Sequence, residues 1–208
     1  MNNLFDINGG FYGFLMKIYQ LILLTILWTL TSLPLVTIGA SNTALYACWF
    51  RIFSVKFDGH LVRTYFKIFR SNFKKATVIW SAFLALLLLT SLFYPLLAQL
   101  VKTLPILVAP FVLLLALVAL TYVYLWPLLA HFDNTVKGTL KNAFFISFAN
   151  MAVSIILVVL NFALLVAFPI YLFKFIIIWL FTGQGLASLL TVLILRQVFK
   201  KYEKKEDL

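Results

Sequence analysis

Charged side chains arrive along this chain in bursts, and the stretches between bursts are long and apolar. Residues 18–50, 76–101, 103–130 and 142–173 hold no Asp, Glu, Lys or Arg, and a fifth such run, 175–195, lies between Lys174 and Arg196. A helix needs about 20 apolar residues to cross a hydrocarbon core, so each run is long enough for at least one crossing. Stretches such as Ala85–Leu89 and Leu113–Leu117 are continuously apolar. They lack the period-two alternation and regular turns of a membrane barrel. Backbone groups in lipid must pair within the protein, which leaves helices. The pattern predicts an all-α polytopic transmembrane bundle, one integral membrane domain over 1–208, with later spans at 76–101, 105–130, 145–169 and 175–196.

The first run is harder to divide. Its 33 residues between Lys17 and Arg51 exceed one span and fall short of two full ones with a turn. Pro34 disfavours helix before it and Gly39 tolerates positive φ, so Leu33–Ala40 reads as a break. Residues 14–33 then form one helix, and Ser41 or Asn42 caps a short second helix over 42–56. That second helix either lies at the inner face or returns as a half-span. Asp6, Asp58 and Asp133 each follow a Phe and head three segments, 5–56, 57–131 and 132–197. Each segment reads as an interfacial stretch plus a helical hairpin, an internal repeat that favours six membrane helices with both termini inside. Five spans with an outside N-terminus is the alternative.

The second segment opens with the most amphipathic stretch. Asp58 is placed to cap a helix over 59–75, with Phe57 packed against Val62; Gly10 and Lys137 occupy that position in the other copies, where such a staple fails. Leu61, Tyr65, Phe66, Phe69 and Phe73 recur at steps of three or four, while Arg63, Lys67, Arg70 and Lys74 fall on another face. This reads as an interfacial elbow helix whose four cations meet headgroups or a partner. Trp80, Trp126 and Trp179, near predicted span ends, fit an aromatic belt.

Composition narrows the class further. Hydrophobic residues make up 64% of the chain and charged ones only 11%, too few to solvate a soluble surface of this size. The net charge of +11 is distributed by position rather than spread along the chain. Arg51 to Lys75, Lys137 and Lys141, and Arg196 to Lys205 form three rich clusters, whereas the alternate loops carry only Lys102 and Lys174. Lys and Arg accumulate on the cytoplasmic side. The rich clusters, and with them the C-terminus, are therefore expected to be cytoplasmic in the cell membrane. Membrane lipids, not nucleic acid, are the expected counterpart of the basic excess. The first apolar run lacks a basic start and a small-residue cleavage pattern and is read as a retained span.

Most chemistries find no residues to carry them. No acidic side chain lies between Asp58 and Asp133 or between Asp133 and Glu203, so the spans hold no carboxylate of the kind coupled carriers use. Two His and one Cys offer no metal-ligand set, there is no Walker A motif, and no cofactor is expected. His60 and His131 sit at the inner boundary, where interfacial hydrogen bonding is the expected role. Gly183-Gln184-Gly185 reads as close helix packing, and Gln99, Asn150, Asn161 and Gln184 as polar groups bonding across helices. The chain is not expected to be an enzyme.

Three segments resemble a known family. Leu33-Pro34-Leu35-Val36-Thr37-Ile38-Gly39-Ala40-Ser41-Asn42-Thr43-Ala44-Leu45-Tyr46 is similar to the signature of the YesL family of bacterial membrane proteins. The similarity continues through 65–77 and through 132–143, which contains Asp133 and Asn134. The resemblance implies a protein of undefined molecular function encoded beside carbohydrate-uptake ABC importers, and it brings no catalytic residues. Phe57-Asp58-Gly59 with Ile68 also faintly resembles the coupling loop of importer permeases. The Glu-Ala-Ala start and Leu-Pro end of that loop are absent, so the chain is not read as the permease itself. The expected function is a non-catalytic accessory subunit of an oligosaccharide ABC importer, partnered by its permease subunits. Alternatives are a stand-alone small-solute transporter or channel lined by Asn161, Gln184 and Gly183, and a membrane scaffold unrelated to sugars.

Overall fold

The computed structural model describes residues 10–54, 59–104, 106 and 108–206. These residues form α1 (Gly10–Ser32), α2 (Ile38–Ile52), α3 (Leu61–Thr103), α4 (Val108–His131), α5 (Val136–Ala149), α6 (Met151–Phe162), α7 (Phe168–Tyr171) and α8 (Ile176–Glu206). No strand occurs among the described residues, and the fold is the expected all-α polytopic bundle. Five stretches are long and apolar enough to cross a membrane: Gly13–Ser32, Leu61–Pro95, Val108–His131, Met151–Tyr171 and Phe173–Tyr202. The short second helix is α2, and its position is the main surprise.

All twelve residues from Gly39 to Phe50 are buried, so α2 is covered on every side by α1, α3, α4 and α8. Its opening Gly39-Ala40-Ser41-Asn42-Thr43-Ala44 explains how, since small side chains let neighbouring backbones approach closely. Trp28 of α1 bonds Asn42 across the turn that joins the two helices, which makes α1 and α2 an antiparallel hairpin. Against α8 the pairs Asn42–Gln184, Trp49–Ser188 and Phe53–Arg196 follow the same order in both helices. The two are therefore parallel. It follows that the start of α1 and the end of α8 lie at the same end of the bundle.

Several boundaries differ from expectation. Neither Ser41 nor Asn42 caps α2: a 3-10 turn, Leu35–Thr37, enters it with Thr37 at the N-cap. Pro34 stands before that turn with ψ 117° and with φ −74°, the angle its ring fixes. The Thr37 hydroxyl donates to the carbonyls of Thr31 (2.5 Å) and Pro34 (2.6 Å) and ties the turn. Gly39 is helical; Gly59, with φ +79°, is the described residue that takes the left-handed conformation.

No elbow separates residues 61–75 from the span. They are the first third of α3, a 43-residue helix that continues through Lys74-Lys75-Ala76-Thr77 because no Gly or Pro interrupts it. Its buried face is Leu61, Thr64, Tyr65, Ile68, Ala76 and Ile79, while Phe66 and Phe73 point outward. A separate short helix is seen in the third segment, as α5. It ends at Asn150, whose side chain donates to the Ile146 carbonyl and to the Tyr202 hydroxyl, both at 3.0 Å. The expected span at 145–169 therefore begins later, at Met151. The Phe-Asp pairs at 5–6 and 57–58 lie outside the described residues, and with them the proposed Asp58 cap and Phe57 staple.

Between α6 and α7 the helix widens into a π turn over Ala163–Ala167, followed by Pro169. An i-to-i−5 bond from residue 169 would cap the Leu164 carbonyl, but proline has no N–H. The Trp179 indole N–H takes its place at 2.7 Å. Trp80 is similarly occupied, donating to the Leu35 carbonyl at 2.6 Å, and Trp126 is 2% exposed. The three tryptophans knit helices together and do not form a headgroup belt.

Candidate functional site

The structure gathers neutral polar side chains around Asn42. The Asn42 Oδ1 accepts from the Trp28 indole N–H at 2.7 Å and from the Gln184 amide at 3.2 Å, joining α1, α2 and α8 at one atom. Asn161 of α6 donates to the Leu157 carbonyl (2.9 Å) and the Thr191 hydroxyl (3.0 Å). Asn42, Gln184 and Asn161 line a cavity of about 180 Å³ with Trp28, Tyr46 and Tyr122. One turn deeper, the Trp49 indole donates to Ser188 Oγ (3.0 Å), which donates to the Gly185 carbonyl (2.9 Å). Asn42, Asn161 and Trp49 thus each find a partner in a neighbouring helix. In lipid such interhelical bonds are worth about 0.6 kcal/mol each on average. Gly183 does not line this cavity, because it faces Trp179 of its own helix. Gly185 packs on Leu21 and Thr25 of α1, which is the close approach expected of it.

A second meeting point lies at the charged end of the bundle. Lys75 Nζ donates to Asp133 Oδ1 (2.7 Å) and to the Asn134 carbonyl (3.2 Å), tying α3 to the turn between α4 and α5. This is the ion pair seen among the described residues. The bond from Lys75, followed by its charge, holds the Asp133 carboxyl below the usual aspartate range. Thr135 then caps α5, its hydroxyl accepting from the Gly138 N–H at 3.2 Å. Beside this turn, His131 lies in an aromatic cluster with Phe50 (4.6 Å between centroids) and Phe199 (5.3 Å). Arg196 donates to the Phe53 carbonyl at 3.2 Å and covers its ring.

The sequence-nominated residues therefore separate into groups. Pro34, Gly39, Ser41 and Asn42 all belong to the α1–α2 turn and the buried start of α2, and Asp133 with Asn134 forms the Lys75 contact. Arg63, Lys67, Arg70 and Lys74 are exposed on the outer face of α3. Asp58 is outside the described residues. Ile68, the residue that likened this region to a coupling loop, is 6% exposed and packed into the core. Sequence reasoning missed Lys75, Trp28, Trp49 and Tyr65. Tyr65 places its hydroxyl 2.7 Å from Thr31 Oγ1 and 3.5 Å from the Ser41 carbonyl. Their signal was present in kind: a Trp or Tyr in an apolar run brings a polar tip that seeks a partner when buried.

No group of three or more potential metal ligands occurs among the described residues. Segments 33–46, 65–77 and 132–143 prove to be one structural unit. The first meets the second at Gly39–Ala76 and Ser41–Tyr65, and the second meets the third at Lys75–Asp133. A family model described as a protein of unknown function, DUF624, matches residues 21–94. That range covers the α1–α2 hairpin from Leu21 and most of α3, including the first two segments; the third lies beyond it. No curated protein and no solved structure matches the chain.

Proposed function

We propose that this chain is a non-catalytic accessory subunit of an oligosaccharide ABC importer, resident in the cell membrane with both ends cytoplasmic. It would pack against the permease subunits and aid their assembly or regulation. The observation that carries the reading is the bareness of α3 and α4 beyond the buried node. Val112 to Leu115 are four consecutive residues each at least half exposed, and Leu86 to Leu89 are 49% to 71% exposed. Four consecutive positions sweep a full helical turn, so neither helix is packed by its own chain there. Lipid covers such surfaces, and other membrane helices dock on them through van der Waals packing. The nature of the partner rests on the YesL resemblance, with which the DUF624 match is compatible. The cytoplasmic placement rests on the basic clusters.

Purification in a gentle detergent with mass spectrometry of co-eluting chains tests this. Permease subunits are the expected companions, and Leu88→Trp with Leu114→Trp should release them while helical content is retained. A lone homo-oligomer would overturn the proposal. The Asn42–Asn161–Gln184 cavity favours a second reading, a small-solute transporter or channel. Its 180 Å³ lies below the roughly 300–1,000 Å³ of ordinary ligand pockets. Solute flux into liposomes holding only this chain would decide for that reading.

A further inference from the structure

The turn between α1 and α2 is apolar, exposed and without charge. Leu33 is 74% exposed, Leu35 70% and Val36 53%, in the middle of a run, 18–50, that holds no charged side chain. The α3–α4 and α7–α8 connections carry Lys102 and Lys174. Backbone groups of the α1–α2 turn are paired from within the protein. The Thr37 hydroxyl donates to the Thr31 and Pro34 carbonyls, and the Trp80 indole N–H of α3 donates to the Leu35 carbonyl. A turn at an aqueous face can leave such carbonyls to water, whereas one in hydrocarbon must pair them inside the protein. An apolar tip with paired carbonyls fits the second setting.

Helix lengths point the same way. Trp80 bonds this turn, and Trp126 lies against Gly39 just after it. Beyond Trp80, α3 continues to Thr103 for about 34 Å, and α4 returns from Val108 to Trp126 over about 27 Å, at 1.5 Å per residue. Tilts of up to about 40° leave at least roughly 20 Å of each along the membrane normal. That reach runs through lipid rather than water, since Leu88, Leu92 and Leu113 on it are each more than half exposed. α1 and α2 therefore turn back well short of the face that α3 and α4 attain. We propose that α1 and α2 form a re-entrant hairpin, its tip Leu33–Val36 seated among acyl chains inside the bilayer. Of the five stretches long enough to cross, α1 then enters and withdraws with α2. The complete crossings are α3, α4, the α6–α7 stretch and α8. This placement does not depend on an importer partner.

The test uses the full chain in liposomes of phosphatidylglycerol and phosphatidylcholine, in a background lacking Cys48. Single spin labels are placed through Leu33→Cys, Leu35→Cys, Thr103→Cys or Phe173→Cys. Collision with oxygen, which concentrates in hydrocarbon, and with a water-soluble nickel chelate reads the surroundings of each label. The oxygen-to-nickel ratio at Leu33 and Leu35 should be severalfold above that at Thr103 and Phe173. The same two tip cysteines should resist an impermeant thiol reagent on both sides of the membrane and react with a permeant one. All four side chains are exposed, so the labels leave the packing intact, and circular dichroism confirms helical content. Nickel access at the tip equal to that at Thr103, or modification from outside, would put the turn in water and make α1 a complete crossing. Shielding of the tip from oxygen and nickel alike would mean that protein covers it; either result defeats the proposal.

Discussion

A methyl group added at Gly39 would lie 2.7 Å from the Ala76 carbonyl oxygen, 2.8 Å from Trp80 Cβ and 2.9 Å from Trp126 Cη2. Neither a backbone carbonyl nor two interlocked indoles can yield cheaply, and overpacking of this kind costs about 1–3 kcal/mol. Gly39→Ala is therefore expected to lower both the melting temperature in detergent and membrane accumulation. Gly13→Ala, with nothing within 4 Å of the new atom, should do neither. Wild-type stability in Gly39→Ala would show that α2 is less tightly held than these distances require. Asp133 offers a pH-dependent test. Its folded pKa is depressed by Lys75, so its contribution is present above the unfolded value and is lost as pH falls through the folded one. The melting-temperature advantage of wild type over Asp133→Asn should persist at pH 7, begin to shrink below about pH 4, the ordinary aspartate value, and vanish only beneath the depressed folded value. It should also be small, because Asp133 is exposed and solvent screens the pair. An advantage independent of pH would assign it to something other than the carboxylate.

At the scale of elements, the telling case is α3. Amphipathicity over 59–75 and uniform apolarity over 76–101 look like two helices, yet a change of surroundings does not require a change of backbone. The basic face meets water or headgroups, the opposite face meets α2, and the helix runs through both environments. Spin labels at Arg63 and Val78, both exposed, in a background lacking Cys48, measure this directly. Fifteen residues of unbroken helix put the two backbones about 22 Å apart at 1.5 Å per residue. A clearly shorter distance would restore the elbow. The opposite lesson comes from α6, α7 and α8, where Pro169 does interrupt the backbone bonding and Trp179, further along the chain, repairs it.

For the whole molecule, helix directions make a topology that labelling checks. The parallel run of α2 with α8 and the α1–α2 hairpin put Gly13 and Lys200 at the same end, while Thr103 and Phe173 mark the other. Single cysteines at Thr103 and Phe173 should react with an impermeant thiol reagent in intact cells. Those at Gly13, Ser71 and Lys200 should be protected. Labelling at Ser71 would invert the orientation. Labelling at Gly13 with protection at Lys200 would mean that α2 does not return as the pairings require.

Much of this architecture was legible in the sequence because lipid imposes a local rule. Each crossing must satisfy its own backbone and show apolar side chains along its length, so charge-free runs announced the helices and the basic clusters announced their ends. The break after Leu33 and the short helix beyond it were legible too, from Pro34 and the small residues that follow. What hydrophobic pattern could not convey was which face of each helix meets protein and which meets lipid, since both are apolar in a membrane. The tertiary structure decided that α2 is the covered centre, that Trp80, Trp126 and Trp179 turn inward, and that Gly39 serves packing instead of an unusual φ. It also decided that Asn42, Asn161 and Gln184, far apart along the chain, line one cavity. Contacts between helices are made by small residues and polar tips, and only their arrangement in space tells which of them meet.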